Sequence, residues 1–130
     1  MIHTIDKNEE LLEIQNKYFE KSGFKNQIKQ YTGNALEIIP KFNIDFDMIF
    51  LDADKENYIK YLELISLILK PGGVLLTDNV LWHGKILESS KNQDSTTKLI
   101  DNFNKKIIKD KNFKTVMLPI RDGISLSLKL

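Results

Sequence analysis

At 130 residues with 42% apolar side chains, the chain is sized for one globular domain, expected to span residues 1–130. Nineteen basic against eighteen acidic side chains leave a formal charge of +1, which gives no general electrostatic reason for a nucleic acid or anionic membrane partner and points to a small-molecule ligand. The lack of cysteine excludes a disulfide framework, a thiolate metal site and a Cys nucleophile; with no signal-peptide pattern and no apolar run near the roughly 20 residues that span a bilayer, a cytoplasmic protein is expected.

Residues Ile2 to Ile5 are β-prone and end at Asp6, after which Lys7-Asn8-Glu9-Glu10 opens a helix with acidic residues near its positive end. Leu11, Leu12, Ile14, Tyr18 and Phe19 recur at helical spacing until Ser22-Gly23 supplies the stop. A second strand is predicted over Ile28 to Thr32, a turn at Gly33-Asn34, and a short helix from Ala35 to Phe42 broken around Pro40. Met48 to Leu51 reads as a buried strand that surfaces at Asp52-Ala53-Asp54-Lys55.

The apolar face of Tyr58, Tyr61, Leu62, Leu64, Ile65, Leu67, Ile68 and Leu69 predicts a helix, with Pro71-Gly72-Gly73 as a turn before the strand Val74 to Thr77. Val80-Leu81-Trp82-His83-Gly84 is an apolar loop, with Trp82 a candidate substrate wall, and Glu88 to Thr97 is expected to be a mobile polar loop. Leu99, Ile100, Phe103, Ile107 and Ile108 predict a helix over Thr96 to Lys111, and Phe113 to Leu118 and Ile124 to Leu130 predict an antiparallel pair. The alternation implies an α/β fold with a mostly parallel sheet, helices on both faces and a closing antiparallel hairpin.

Two strand ends carry the chemistry. In open α/β sheets ligands bind beyond the carboxyl ends of the strands, where Asp52 and Asp54 follow one apolar run and Asp78-Asn79 another. An aspartyl-nucleophile phosphatase fits the Asp-x-Asp motif, but leaves too little chain after it. A calcium loop fits Asp52, Asp54, Glu56 and Glu63 in spacing, but has Asn57 where the sharp turn needs Gly. A merely solvated acidic loop is the plain alternative, weakened by Asp78-Asn79, because two carboxylates and an amide carbonyl are hard donors suited to Mg²⁺. Lys55 could then serve as a base. Asp6 suits a ribose contact or a helix cap. His3 and His83 carry no assigned role.

The blocks Phe46 to Tyr58 and Leu69 to Gly84 resemble the metal-dependent, S-adenosylmethionine-dependent O-methyltransferases of the catechol and caffeoyl-coenzyme A type, including bacterial relatives. Weaker similarity runs from Ile2 to Asp122-Gly123-Ile124-Ser125-Leu126. The resemblance implies a Rossmann-like methyltransferase fold and a divalent metal, Mg²⁺, on Asp52, Asp78 and Asn79. It places Lys55 where the catechol enzymes have their base, with Asp52 beside it. Asp6 falls at the cofactor ribose, Asn34-Ala35 at the adenine and Tyr61 near the methionine end, with Asp52 also counted among the cofactor-binding residues, while Trp82 falls beside the acceptor. The implied partners are a small hydroxylated aromatic acceptor and a second copy in a homodimer.

The chain departs from this pattern in one place: no segment resembles the family's first strand and its glycine-rich turn. That strand lies between those ending at Asp6 and Asp52, so its absence implies an N-terminally truncated, partial domain. Two other readings stand beside the small-acceptor enzyme. One is a methyltransferase for hydroxylated uridine in tRNA, approached through Lys105, Lys106, Lys109, Lys111 and Lys114; the other is a non-catalytic fragment that only associates with other chains.

Overall fold

The structure, a computed structural model, describes residues 1–130, which divide into two compact units, 1–42 and 43–130. In the first, strand β1 (Ile2–Asp6) pairs in parallel with β2 (Ile28–Thr32), from Ile2 opposite Ile28 to Asp6 opposite Thr32. The crossover helix α1 (Leu12–Lys21) is entered through a short 3-10 turn capped by Asn8, whose side chain accepts from Glu10 N at 3.0 Å. It ends at Ser22-Gly23 as the sequence predicts, with Gly23 at φ +74°. Helix α2 (Ala35–Ile38) gives way to a 3-10 turn containing Pro40, so the expected break falls where proline removes an N–H donor. His3, Tyr31 and Phe42 form an aromatic cluster in this unit.

The second unit holds a four-stranded mixed sheet in the order β3-β4-β6-β5, made from β3 (Phe46–Leu51), β4 (Leu69–Asp78), β5 (Phe113–Leu118) and β6 (Ile124–Lys129). β3 is parallel to β4, while β6 is antiparallel to both β4 and β5. Leu75, Thr77, Ser125 and Ser127 on one face are fully buried. Helices α3 (Tyr58–Ile68) and α4 (Ser95–Lys109) are joined by the edge-to-face contact of Tyr58 with Phe103 and by Lys106 with Glu63. Lys129 Nζ donates to the carbonyls of Ser66 and Leu69, satisfying groups that the end of α3 leaves open. On the opposite face Met48 and Phe50 are 60% and 57% exposed, so the strand expected to be buried is covered on one face only.

Three local features differ from the sequence reading. Pro71-Gly72-Gly73 is not a turn ahead of the strand but an irregularity inside β4, because Leu69 already pairs with Phe46 before Val74 resumes opposite Met48. Gly73 is required there, since an added Cβ would meet Lys70 O at 2.8 Å. Trp82 is half-buried in a 3-10 segment (Trp82–Leu87) rather than in an open loop. Within Glu88 to Asp94, the buried Gln93 donates to Ile86 O and Glu88 O at 3.2 Å each, which ties the polar stretch down.

The pairing also bears on the expected central strand. β1 pairs with β2 and β3 with β4, so each is an edge strand of its own sheet. No helix is long and apolar enough to cross a membrane.

Candidate active site

The second unit gathers its chemistry around one ammonium group. Lys55 lies in the 3-10 turn after β3, one turn before α3, and its side chain is only 12% exposed. Its Nζ donates to Asp52 Oδ1 at 3.1 Å, to Asn79 Oδ1 at 2.7 Å and to the hydroxyl of Tyr58. The same ammonium lies 4.6 Å from the centre of the Tyr58 ring. Tyr58 OH donates in turn to the Asp78 carbonyl at 3.2 Å, and burial, followed by the charges of Asp52 and Asp78, pushes its phenol well above the ordinary range.

Local structure explains the convergence. β3 and β4 are parallel neighbours, with Leu51 opposite Thr77, so Asp52 and Asp78 leave the sheet at the same end. Asn79 sits at φ +60°, a left-handed conformation that Asn tolerates better than most residues, and this turns the chain sharply after Asp78. Asp78 Oδ1 accepts from Asn79 N at 2.8 Å.

The donor set fits a divalent metal in its chemistry. Asp52 and Asn79 each aim an oxygen at a common positive charge, and Asp78 stands next in the chain with a carboxylate. No group of three or more His, Cys, Asp or Glu side chains able to hold a metal forms, so only two carboxylates and one amide are available.

The remaining sequence-predicted residues have partners of their own. Tyr61 is 3% exposed and its hydroxyl donates to Asp54 Oδ1 at 2.7 Å; burial and this carboxylate raise its phenol as well. In the first unit Asp6 accepts from Asn8 N and Gln15 Nε2, both at 2.9 Å. An ionised carboxylate has about four acceptor positions, so Asp6 keeps capacity for hydroxyl donors. Asn34 caps α2 by accepting from Leu36 N at 3.0 Å, and Ala35 is the first residue of that helix. A depression lined by Tyr31, Thr32, Ile38, Lys41 and Phe42 includes none of these three.

Sequence reasoning missed Tyr58 and Asp122. Tyr58 lies one helical turn beyond Lys55, a spacing that could have revealed it, but its ring also fits the apolar face of α3. Asp122 lies in the turn before β6 and reaches Asn79 only because β6 pairs with β4; Asn79 Nδ2 donates to its Oδ2 at 3.4 Å.

The mixed α/β sheet, with acidic and amide oxygens beyond its parallel strand ends, superposes on solved methyltransferases and shares their Rossmann-like fold. The family model described as O-methyltransferase matches residues 1–130, and the chain belongs to that family. It is 31% identical over 140 residues to the caffeoyl-CoA O-methyltransferase of Petroselinum crispum, covering 99% of this chain and 58% of that protein. It is 39% identical over 85 residues to the catechol O-methyltransferase domain-containing protein 1 of Mus musculus, covering 65% and 32%. A solved O-methyltransferase from Bacillus cereus, in complex with SAH, superposes with a TM-score of 0.89 at 25% identity over 98% of this chain and 62% of that one. The chain thus spans roughly a third to three-fifths of the length of these relatives.

Proposed function

We propose that the chain is the catalytic portion of a metal-dependent O-methyltransferase that moves a methyl group from S-adenosylmethionine to a hydroxyl of a small, catechol-like acceptor. The observation that carries this reading is the convergence of Asp52 and Asn79 on Lys55 Nζ, two hard donors sharing one positive charge beside a group that can carry a proton. Asp52, Asp78 and Asn79 would hold Mg²⁺, while Asp6, Asn34, Ala35, Asp52 and Tyr61 would contact the cofactor and Trp82 the acceptor ring. Bound together, the metal supplies charge stabilisation for an acceptor oxyanion and the cofactor supplies an electrophilic methyl group.

The chain's own residues do the rest. Lys55 would take the acceptor's hydroxyl proton at Nζ after its ammonium has given one proton up to solvent, while Tyr58 fixes that nitrogen from the side of α3 and Asp52 and Asn79 fix it from the strand ends. Such positioning converts an encounter between acceptor and methyl donor into a step within one complex. Lys105 is paired with Asp101 and Lys106 with Glu63, which partly neutralises the basic side of α4 and favours a small acceptor over tRNA. A cytoplasmic homodimer completes the reading.

The test is calorimetric titration of the chain with S-adenosylmethionine, with and without Mg²⁺, followed by methyl transfer to catechol. Saturable binding and Mg²⁺-dependent transfer, with transfer abolished in Asp78→Ala, are expected. Transfer retained in Asp78→Ala would remove the metal assignment, and a folded chain that binds no S-adenosylmethionine would refute the catalytic reading.

The edge positions of β1 and β3 in their sheets favour a second reading, a methyltransferase part that binds its cofactor only when another strand adds to it. Cofactor binding gained on adding a longer form of the protein, and absent without it, would support that version.

A further inference from the structure

We infer that Asp122 is a positioning residue that sets which end of the Asn79 amide faces the cation site; the inference rests on the metal reading above. An Asn side chain presents a carbonyl oxygen at one end and an NH₂ group at the other, and only the oxygen can ligate a cation. A rotation of the terminal amide exchanges the two ends at little intrinsic cost, so the neighbours must select the orientation. On one side Lys55 Nζ, a pure donor, takes Oδ1 at 2.7 Å. On the other the carboxylate of Asp122, a pure acceptor when ionised, takes Nδ2 at 3.4 Å. Lys55 can fulfil this role only while its ammonium stays in place, whereas Asp122 approaches from the opposite end and would go on selecting the orientation with a metal bound.

Asp122 is itself held in the required place. Its side chain is 17% exposed, and its other oxygen, Oδ1, accepts from the backbone N–H of His83. His83 Nδ1 lies 3.8 Å from the same oxygen. The Asp122 carbonyl accepts from Leu81 N at 2.9 Å and the Gly123 carbonyl from Val80 N at 3.2 Å. The turn before β6 therefore grips residues 79 to 83 at four points. Trp82 and His83, at φ +47° and +55°, lie in a conformation that costs free energy unless the surroundings impose it. Asp122 thus links the amide ligand to the segment carrying Trp82, the candidate acceptor wall.

The experiment has two readouts on the full 130-residue chain, with the backbone ¹⁵N–¹H spectrum as the check of folding. The first is the Asn79 side-chain NH₂ resonance of ¹⁵N-labelled protein without metal. The hydrogen-bonded proton should be protected from exchange in the wild type and lose that protection in Asp122→Ala. The second is Mn²⁺ binding by calorimetry, where loss of an outer partner of a metal ligand typically weakens affinity about 10–100-fold. Asp122→Asn keeps one acceptor oxygen and should lose less than Asp122→Ala; it also serves if the Ala variant does not fold. An Asn79 resonance unchanged by both substitutions, or wild-type Mn²⁺ binding matched within about twofold by the variants, overturns the inference. If the wild type binds no Mn²⁺ but the resonance responds as stated, the metal reading falls and the orienting role of Asp122 stands.

Discussion

Replacing Tyr58 with Phe tests the central arrangement while leaving its packing intact. The ring is fully buried and stays in edge-to-face contact with Phe103, 5.2 Å between centroids, so no cavity larger than the lost oxygen opens. Two hydrogen bonds disappear, one donated to the Asp78 carbonyl at 3.2 Å and one accepted from the Lys55 ammonium. A neutral bond contributes about 0.5–1.5 kcal/mol and one to a charged group about 1.5–3 kcal/mol. Removing a hydroxyl that was itself costly to desolvate offsets part of the sum, and Lys55 keeps Asp52 and Asn79 as partners. The expected loss is therefore about 1.5–3 kcal/mol. Urea unfolding followed by the fluorescence of Trp82, the single tryptophan, reports on this unit. The midpoint should fall with the slope unchanged. A loss under about 0.5 kcal/mol would refute the reasoning, because the hydroxyl would then hold neither Lys55 nor the strand end.

The remaining predictions address the elements around it. Gly123→Ala combines φ +83° with a Cβ that would lie 2.4 Å from Leu81 Cγ and 2.9 Å from Leu81 N; it should cost at least the roughly 1–3 kcal/mol of such backbone strain and disturb the environment of Trp82, read by its emission maximum. Asn104→Ala leaves the carbonyl of the fully buried Val80 without the donor that stands at 2.7 Å, and should cost about 1–3 kcal/mol in urea unfolding. Tyr58 and Tyr61 hold their protons more tightly folded than unfolded, so the unfolded chain releases protons first as pH rises past the ordinary phenol value of 10.0. Their contribution is complete below that pH and is lost above it as pH climbs towards the folded values. Urea midpoints should fall in the alkaline limb, less steeply in Tyr58→Phe.

Much of this was legible from residue order because it depends on neighbours in sequence. Helical spacing located α1, α3 and α4, and two apolar runs ending in Asp52 and Asp78-Asn79 located the strand ends that meet around Lys55. What escaped depends on pairing. Nothing local in Pro71-Gly72-Gly73 says that Leu69 is already opposite Phe46, which is what turns an expected loop into part of a strand. Tyr58 was hidden by its dual nature, an apolar ring on the core side of α3 with a hydroxyl at the edge of the site. Asp122 reads as an ordinary turn residue until β6 is known to lie between β4 and β5.

That placement of β6 also makes the sheet depend on a pairing between residues far apart in the chain. β5 comes first in the chain, yet β6 takes the position beside β4, with about fifty residues separating Leu76 from its partner Leu126. Closing a loop costs entropy before its contacts repay it, and domains rich in such distant pairings fold more slowly than those built from local ones. The turn that grips residues 79 to 83 arrives with β6, so the strand ends of β3 and β4 can be side by side before their loops take final form. Substitutions in the turn at residues 120–123 should then act mainly on the rate of unfolding and leave the rate of folding nearly unchanged.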